Sequence, residues 1–151
     1  MLRIHAAISC LQQLSDAFSE RRRQLAQSVD LTDHQWGVLE EISTEHFMPS
    51  MFARQRESSA AAVSKTLRQL IDKGLVHVTL SPRDGRQRKY QLTARGQAVM
   101  NELRKERADA ILAIWTSFSE EQLEAFTEFG NRLIEALGEY GKRKPGKEAH
   151  G

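Results

Sequence analysis

Cysteine is nearly absent from this chain of 151 residues: Cys10 stands alone. A single thiol forms no intramolecular disulfide, which excludes a disulfide-stapled scaffold and accords with a reducing, cytoplasmic location. Long apolar runs are missing too. No stretch approaches the roughly 20 residues that cross a bilayer, so neither a transmembrane helix nor a membrane partner is expected. The opening Met1-Leu2-Arg3-Ile4-His5 lacks a charged region followed by a long apolar one, and no secretory signal is expected. The histidines (His5, His34, His46, His77 and His150) are scattered, with no His-x-x-x-His or Cys-x-x-Cys spacing. A metal site needs several ligands in defined geometry, so no metal and no cofactor is expected. There is no glycine loop to cradle phosphate and no nucleophile elbow. The carboxylate pairs Glu40/Glu41 and Glu120/Glu121 have nothing to set them apart from solvated charge. The chain does not read as an enzyme.

What is present is a division of charge. The formal net charge is only +2, yet residues 52–95 hold ten Lys or Arg against three Asp or Glu, a local +7. The remainder, with twelve basic and seventeen acidic residues, carries −5. A basic block beside an acidic remainder is the footprint of a polyanion-binding protein, although a solvated basic face gives the same count.

Apolar periodicity places the elements. Ile4, Ile8, Leu11, Leu14, Phe18 and Leu25 recur at three- and four-residue spacing, with one longer gap, and predict a helix over 2–28. Arg21, Arg22 and Arg23 fall in the gap and read as a solvated patch. Thr32 and Gln35 make a capping box, and Leu31 with Trp36 has the spacing of a hydrophobic staple, so a second helix starts there and continues through Val38, Leu39 and Ile42. Pro49 suits the first turn of a short third helix of about two turns, with Met51, Phe52 and Ala53 packed inward. Ser58 or Ser59 caps the fourth helix, which runs to Lys73 and stops at Gly74. Val63, Leu67, Leu70 and Ile71 form its apolar face, leaving Ala60, Ala61, Ser64, Lys65, Arg68 and Gln69 for the other side. The period then changes to two. Val76, Val78 and Leu80 alternate with His77 and Thr79, and Tyr90 and Leu92 alternate with Lys89 and Gln91. The turn-rich, basic segment 81–88 between them makes the pair a β-hairpin. Thr93 caps a long helix through Val99, Leu103, Ala110, Ile111, Ile114 and Trp115. Ser119 and Gln122 form a second capping box, opening a last helix with Leu123, Phe126, Leu133 and Leu137. The tail 142–151 has no apolar periodicity and reads as disordered.

A short helix, a capped helix and a hairpin with a basic tip make a winged helix-turn-helix. One α-helix fills the major groove and offers side chains to base edges. The small residues Ala60, Ala61 and Ala62 let a helix backbone approach closely and offer methyls to thymine methyls, although alanines are also simply good helix formers. The candidate DNA-binding residues of this helix are Ser59, Ala61, Ala62, Ser64, Lys65 and Arg68.

The segment Ser64-Lys65-Thr66-Leu67-Arg68-Gln69-Leu70-Ile71-Asp72-Lys73-Gly74-Leu75-Val76, followed by 83–96, resembles the multiple-antibiotic-resistance regulator (MarR) family. The specific part is Asp84-x-Arg86, then Leu92-Thr93-x-x-Gly96, in a hairpin that directly follows a capped helix ending in Gly-Leu-Val. The resemblance extends to 31–39 and covers about residues 30 to 100; the flanking helices match in pattern only. It implies a homodimer whose N- and C-terminal helices intertwine, with helix 58–73 in the major groove and the wing in the minor groove. By position, Arg86 would enter the minor groove, whose negative potential suits arginine, and Asp84 would orient a neighbouring arginine. Arg83, Arg88 and Lys89 would meet phosphates. This sequence departs from the family at Arg54-Gln55-Arg56-Glu57-Ser58, which is polar where the family is usually apolar, and Arg54 and Arg56 are further phosphate candidates.

The family commonly binds small aromatic or phenolic effectors between dimer helices and DNA-binding lobe. Trp36, Phe47 and Trp115 are candidate pocket residues, with core packing as the alternative. A redox-sensing branch uses a cysteine of the first helix with tyrosine partners; Cys10 is in that helix, but Tyr90 and Tyr140 lie elsewhere. The expected organisation is an N-terminal dimerisation helix at 1–30, a winged helix-turn-helix at 31–96, C-terminal dimerisation helices at 97–141 and the tail. The expected function is transcriptional regulation, with repression of a pseudo-palindromic operator favoured because the architecture shows no polymerase-contact domain. The alternatives are a winged-helix protein-interaction module and redox sensing through Cys10.

Overall fold

The structure is a computed structural model that describes residues 1–44, 47–56, 58–80, 85 and 87–143. It is mainly helical: α1 (Leu2–Ser28), α2 (Asp33–Ser43), α3 (Pro49–Gln55), α4 (Ala60–Asp72), strands β1 (Val76–Leu80) and β2 (Arg88–Leu92), then α5 (Ala94–Trp115) and α6 (Glu120–Arg143). Two compact units divide the chain, Met1–Arg107 and Ala108–Gly151.

Local chemistry starts α2, α3 and α4. The Thr32 hydroxyl accepts the Gln35 N–H at 3.1 Å, and the Gln35 carboxamide accepts the Thr32 N–H at 3.1 Å, completing the expected capping box. Leu31 and Trp36, the staple pair, are both buried. Pro49 opens α3, where its missing N–H has no partner to lose. Of Ser58 and Ser59, it is Ser59 that caps α4, accepting the Ala62 N–H at 3.0 Å.

The core is built from one face of each of these helices. Trp36, Val38, Leu39 and Ile42 of α2 meet Phe52 and Ala53 of α3 and Val63, Leu67 and Leu70 of α4, with Leu25 and Ala26 of α1 and Met100 and Leu103 of α5 completing the cluster. Ile71 is only half-buried at its edge. Met51, expected inward, is exposed; the seven residues of α3 make two turns, too few to bury three neighbouring apolar side chains.

The exit from α4 directs the chain into the hairpin. Gly74 takes φ +72°, and the helix closes in a Schellman motif: Leu75 N–H donates to Leu70 O at 3.0 Å and Gly74 N–H to Ile71 O at 2.9 Å. The hairpin then pairs antiparallel from Val76↔Leu92 to Leu80↔Arg88, so β2 begins one residue before its expected start at Lys89. Val76 is buried, but Val78 and Leu80 are exposed. The sheet has two strands and runs out past the core, which corrects the expectation of a half-buried strand along its whole length. Returning from β2, Thr93 donates its hydroxyl to Gly74 O at 2.6 Å and accepts the Gly96 N–H at 3.0 Å. A Cβ on Gly96 would lie 2.1 Å from the Leu75 carbonyl oxygen. The Thr93-x-x-Gly96 pattern is therefore a packing device that brings the start of α5 against the exit of α4.

In the second unit, Ser119 and Gln122 form the other expected capping box, at 3.0 and 3.2 Å. Glu120 and Glu121 sit at the electropositive start of α6 and Lys142 and Arg143 at its end. α6 therefore continues two residues into the segment read as tail; 144–151 lie outside the described residues. Among the described residues no helix is long and apolar enough to cross a membrane.

Gly96→Ala is expected to destabilise the fold by at least about 1–3 kcal/mol, the range for overpacking, because its contact is a backbone carbonyl that cannot rotate away. Gly138→Ala, where an added Cβ meets nothing within 4 Å, is the control. Equal urea midpoints for the two variants would refute the close-approach account.

Candidate nucleic-acid interface

The apolar side of α4 is anchored more broadly than its hydrophobic spacing implies. Besides Val63, Leu67 and Leu70, Thr66 is buried, with its hydroxyl 2.8 Å from His34 Nδ1. Gln69, expected on the outer side, turns inward instead and accepts a hydrogen bond from the Gln35 carboxamide at 3.0 Å. Lys73 reaches back to Gln35 at 3.3 Å and to the Asp30 backbone carbonyl. Apolar spacing reveals none of these links, because the polar side chains at 66 and 69 carry no hydrophobic signal.

The opposite side of α4 is left exposed: Ala60, Ala61, Ser64, Lys65 and Arg68. Ala62 is half-buried at the rim, and the hydroxyl of exposed Ser59 retains its proton to donate although its oxygen caps the helix. The helix thus presents short side chains in its first turn and two cations one turn on. Arg88 and Lys89 are exposed at the start of β2, opposite Leu80 and Thr79. Arg83, Asp84 and Arg86, the remaining wing candidates, lie outside the described residues. Arg54 and Arg56 are exposed at the end of α3, and the Arg56 guanidinium lies 5.6 Å from the Phe52 ring centroid. Among the described residues none of Arg54, Arg56, Lys65, Arg68, Arg88 and Lys89 forms an ion pair. Among the described residues no carboxylate neutralises their charge, which leaves it available for phosphate contacts.

The structure separates the three aromatic candidates. Trp36 is 2% exposed and lies beneath Arg22, whose guanidinium is 4.0 Å from the ring centroid. Arg22 thereby leaves the solvated patch to which its spacing assigned it. Phe47 is half-buried and packs edge-on against Phe52 and Tyr90, at 5.8 and 6.0 Å between centroids. It lines an open cavity of about 630 Å³ with Ile42, Met48, Tyr90, Arg88 and Gln97. Trp36 lines neither this cavity nor a smaller one of about 230 Å³ beside α3. Trp115 belongs to the second unit and is half-buried there. Cys10 is exposed on α1. No group of three or more His, Cys, Asp or Glu among the described residues is arranged to hold a metal ion.

A two-turn helix, a capped second helix anchored on one face and a two-stranded hairpin define a winged helix-turn-helix protein. Residues 29–87 match the model of the MarR family. The same fold recurs in a MarR family transcription regulator of known structure, with TM-score 0.78, 18% identity and coverage of 93% of each chain. It recurs in Staphylococcus aureus MarR in complex with salicylate and kanamycin, with TM-score 0.71, 18% identity and coverage of 92% of this chain and 95% of that one. A mutant of S. aureus MepR bound to an oligodeoxyribonucleotide gives TM-score 0.66, 18% identity and coverage of 87% and 97%. No curated protein matches the chain in sequence.

Arg68→Ala is expected to leave stability within about 0.5 kcal/mol, since the side chain is exposed and forms no ion pair. Thr66→Val is expected to cost about 1–3 kcal/mol, because His34 Nδ1 would be left without its hydrogen bond. Denaturant unfolding of the two variants checks this; a costly Arg68→Ala beside a neutral Thr66→Val would reverse the assignment of faces.

Proposed function

We propose that this chain is a sequence-specific DNA-binding transcription regulator that acts in the cytoplasm as a homodimer. The observation that carries the reading is α4: its inner face is locked into the core by packing and hydrogen bonds, and its outer face offers small side chains and unpaired cations beside a basic hairpin. In this reading Ser59, Ala61, Ala62, Ser64, Lys65 and Arg68 meet the major groove. Arg86 enters the minor groove with Asp84 orienting a neighbour, and Arg83, Arg88 and Lys89 hold phosphates. The oligodeoxyribonucleotide bound to the MepR mutant supports it.

Dimerisation has a physical motive. Ile4, Ile8, Leu11 and Leu14 form an exposed apolar stripe on α1, and Phe126, Phe129, Ile134 and Leu137 are exposed on α6. Apolar surface of this extent marks an interaction site, and a pseudo-palindromic operator requires two recognition helices about one duplex turn apart. Occupying such a site represses by excluding other proteins from promoter DNA. A small aromatic or phenolic effector releases it; the salicylate bound to S. aureus MarR and the cavity at Phe47 support this. Cys10 is a second trigger only if peroxide releases DNA and Cys10→Ser abolishes that release.

The test is fluorescence anisotropy of the purified chain on DNA from upstream of its own coding sequence, with unrelated DNA as control, at several salt concentrations. Tight, selective binding that falls steeply with salt is expected. Arg86→Ala is expected to weaken it by about 1–3 kcal/mol with unchanged far-UV circular dichroism. Absence of binding at low salt would instead favour a protein-interaction module.

A further inference from the structure

We infer that Arg22 is a positioning residue for DNA binding: through Trp36 and Glu40 it fixes the angle at which α1 holds α2 and, behind α2, the recognition helix α4. The inference rests on the proposed function of a dimer on two half-sites.

Arg22 lies one turn before the buried end of α1. Its guanidinium lies 4.0 Å from the Trp36 ring centroid, bonds the Asp33 carboxylate and lies 3.8 Å from Glu40. Arg107 of α5 converges on the same groups, 3.7 Å from Glu40 and 5.9 Å from the Trp36 ring. Asp33, Trp36 and Glu40 are spaced three and four residues apart and share one face of α2. The neighbouring positions His34 and Gln35 bond Thr66 and Gln69 of α4. One helix, α2, is therefore gripped by arginines from α1 and α5 and carries α4 by hydrogen bonds, with no loop in the path.

The chemistry requires arginine. A planar guanidinium stacks on an aromatic face while its edges bond two carboxylates, which a lysine ammonium cannot do. The Arg22 and Glu40 side chains are 34% and 32% exposed, so the pair is partly withdrawn from water. The helix that carries Arg22 also carries the apolar stripe assigned to dimerisation. The joint thus ties the dimer framework to the reading head without touching DNA. Adding or removing one base pair between half-sites moves them by about 3.4 Å and turns them by about 35°. A dimer with a rigid joint discriminates such changes, and one with a loosened joint tolerates them.

Affinity is to be measured on operators whose half-site separation is changed by one base pair either way, for the unaltered protein, Arg22→Met and Arg22→Lys. The unaltered protein is expected to lose about tenfold for each change, the cost of a mismatched site. Arg22→Met, which keeps an alkyl chain and removes the planar cation, should bind the best-spaced operator less tightly and lose only about threefold or less on either change. Arg22→Lys should behave like Arg22→Met. An equal loss at every spacing, or full rescue by lysine, overturns the inference.

A second readout is independent of DNA. Nitroxides on Cys10 and on Ser64→Cys, spin-diluted with unlabelled chain, report the α1–α4 distance. Arg22→Met should broaden that distribution, and an unchanged width overturns the inference. A protein that binds no DNA, or shows no spacing preference, fails the functional reading, while the distance measurement still decides the role of Arg22.

Discussion

The packing of Val63, Leu67 and Leu70 of α4 against α2 and α3 is the constraint on which the rest of the first unit depends. Burying three such side chains stabilises the fold by roughly 1.5–3 kcal/mol each, and it assigns a direction to every other residue of the helix. With Thr66 and Gln69 also drawn inward, the residues left outside are those a DNA groove accepts: small side chains first, cations one turn later. The end of α4 transmits the constraint. Its Schellman closure turns the chain into β1, and the contact of Gly96 with Leu75 returns α5 across the same point. The hairpin and α4 therefore leave one junction and are held together.

Electrostatics follows part of the same division. Three arginines of α1 and α5 are engaged: Arg22 and Arg107 on Trp36 and Glu40, and Arg23 on Glu20. The described cations of α3, α4 and β2 are exposed and form no ion pairs. A surface arranged in this way gains little stability from its charges, since exposed pairs contribute about 0–1 kcal/mol at best, but it keeps them available for a polyanion.

Elements that rest on local chemistry were legible in the residues. Both capping boxes, the proline start of α3, the Gly74 exit and the pairing of the hairpin strands are short-range devices, and each forms as expected. Long-range consequences were not. Gln69 lies in the position of an outward residue on a helical wheel, and its inward turn depends on Gln35, thirty-four positions away. Arg22 sits in a gap of the apolar pattern, where spacing implies solvent; Trp36 supplies its partner. Val78 and Leu80 have the alternation of a buried strand and are exposed because the sheet extends past the core. In the candidate site, the α4 face was readable because helical periodicity determines it, whereas the roles of Arg83, Asp84 and Arg86 rest on the resemblance.

The central claim is that α4 and the hairpin hold DNA through unpaired cations. The most direct measurement compares the salt dependence of DNA binding for a Lys65→Ala/Lys89→Ala double variant with that of an Arg104→Ala/Lys105→Ala double variant on the exposed side of α5. Each lost phosphate contact lowers the slope of log K against log salt by about 0.9, so the first pair, removed from both protomers of the dimer, should flatten the slope by nearly four and the second should leave it unchanged. Equal slopes for both variants, or flattening confined to the α5 pair, would contradict the account.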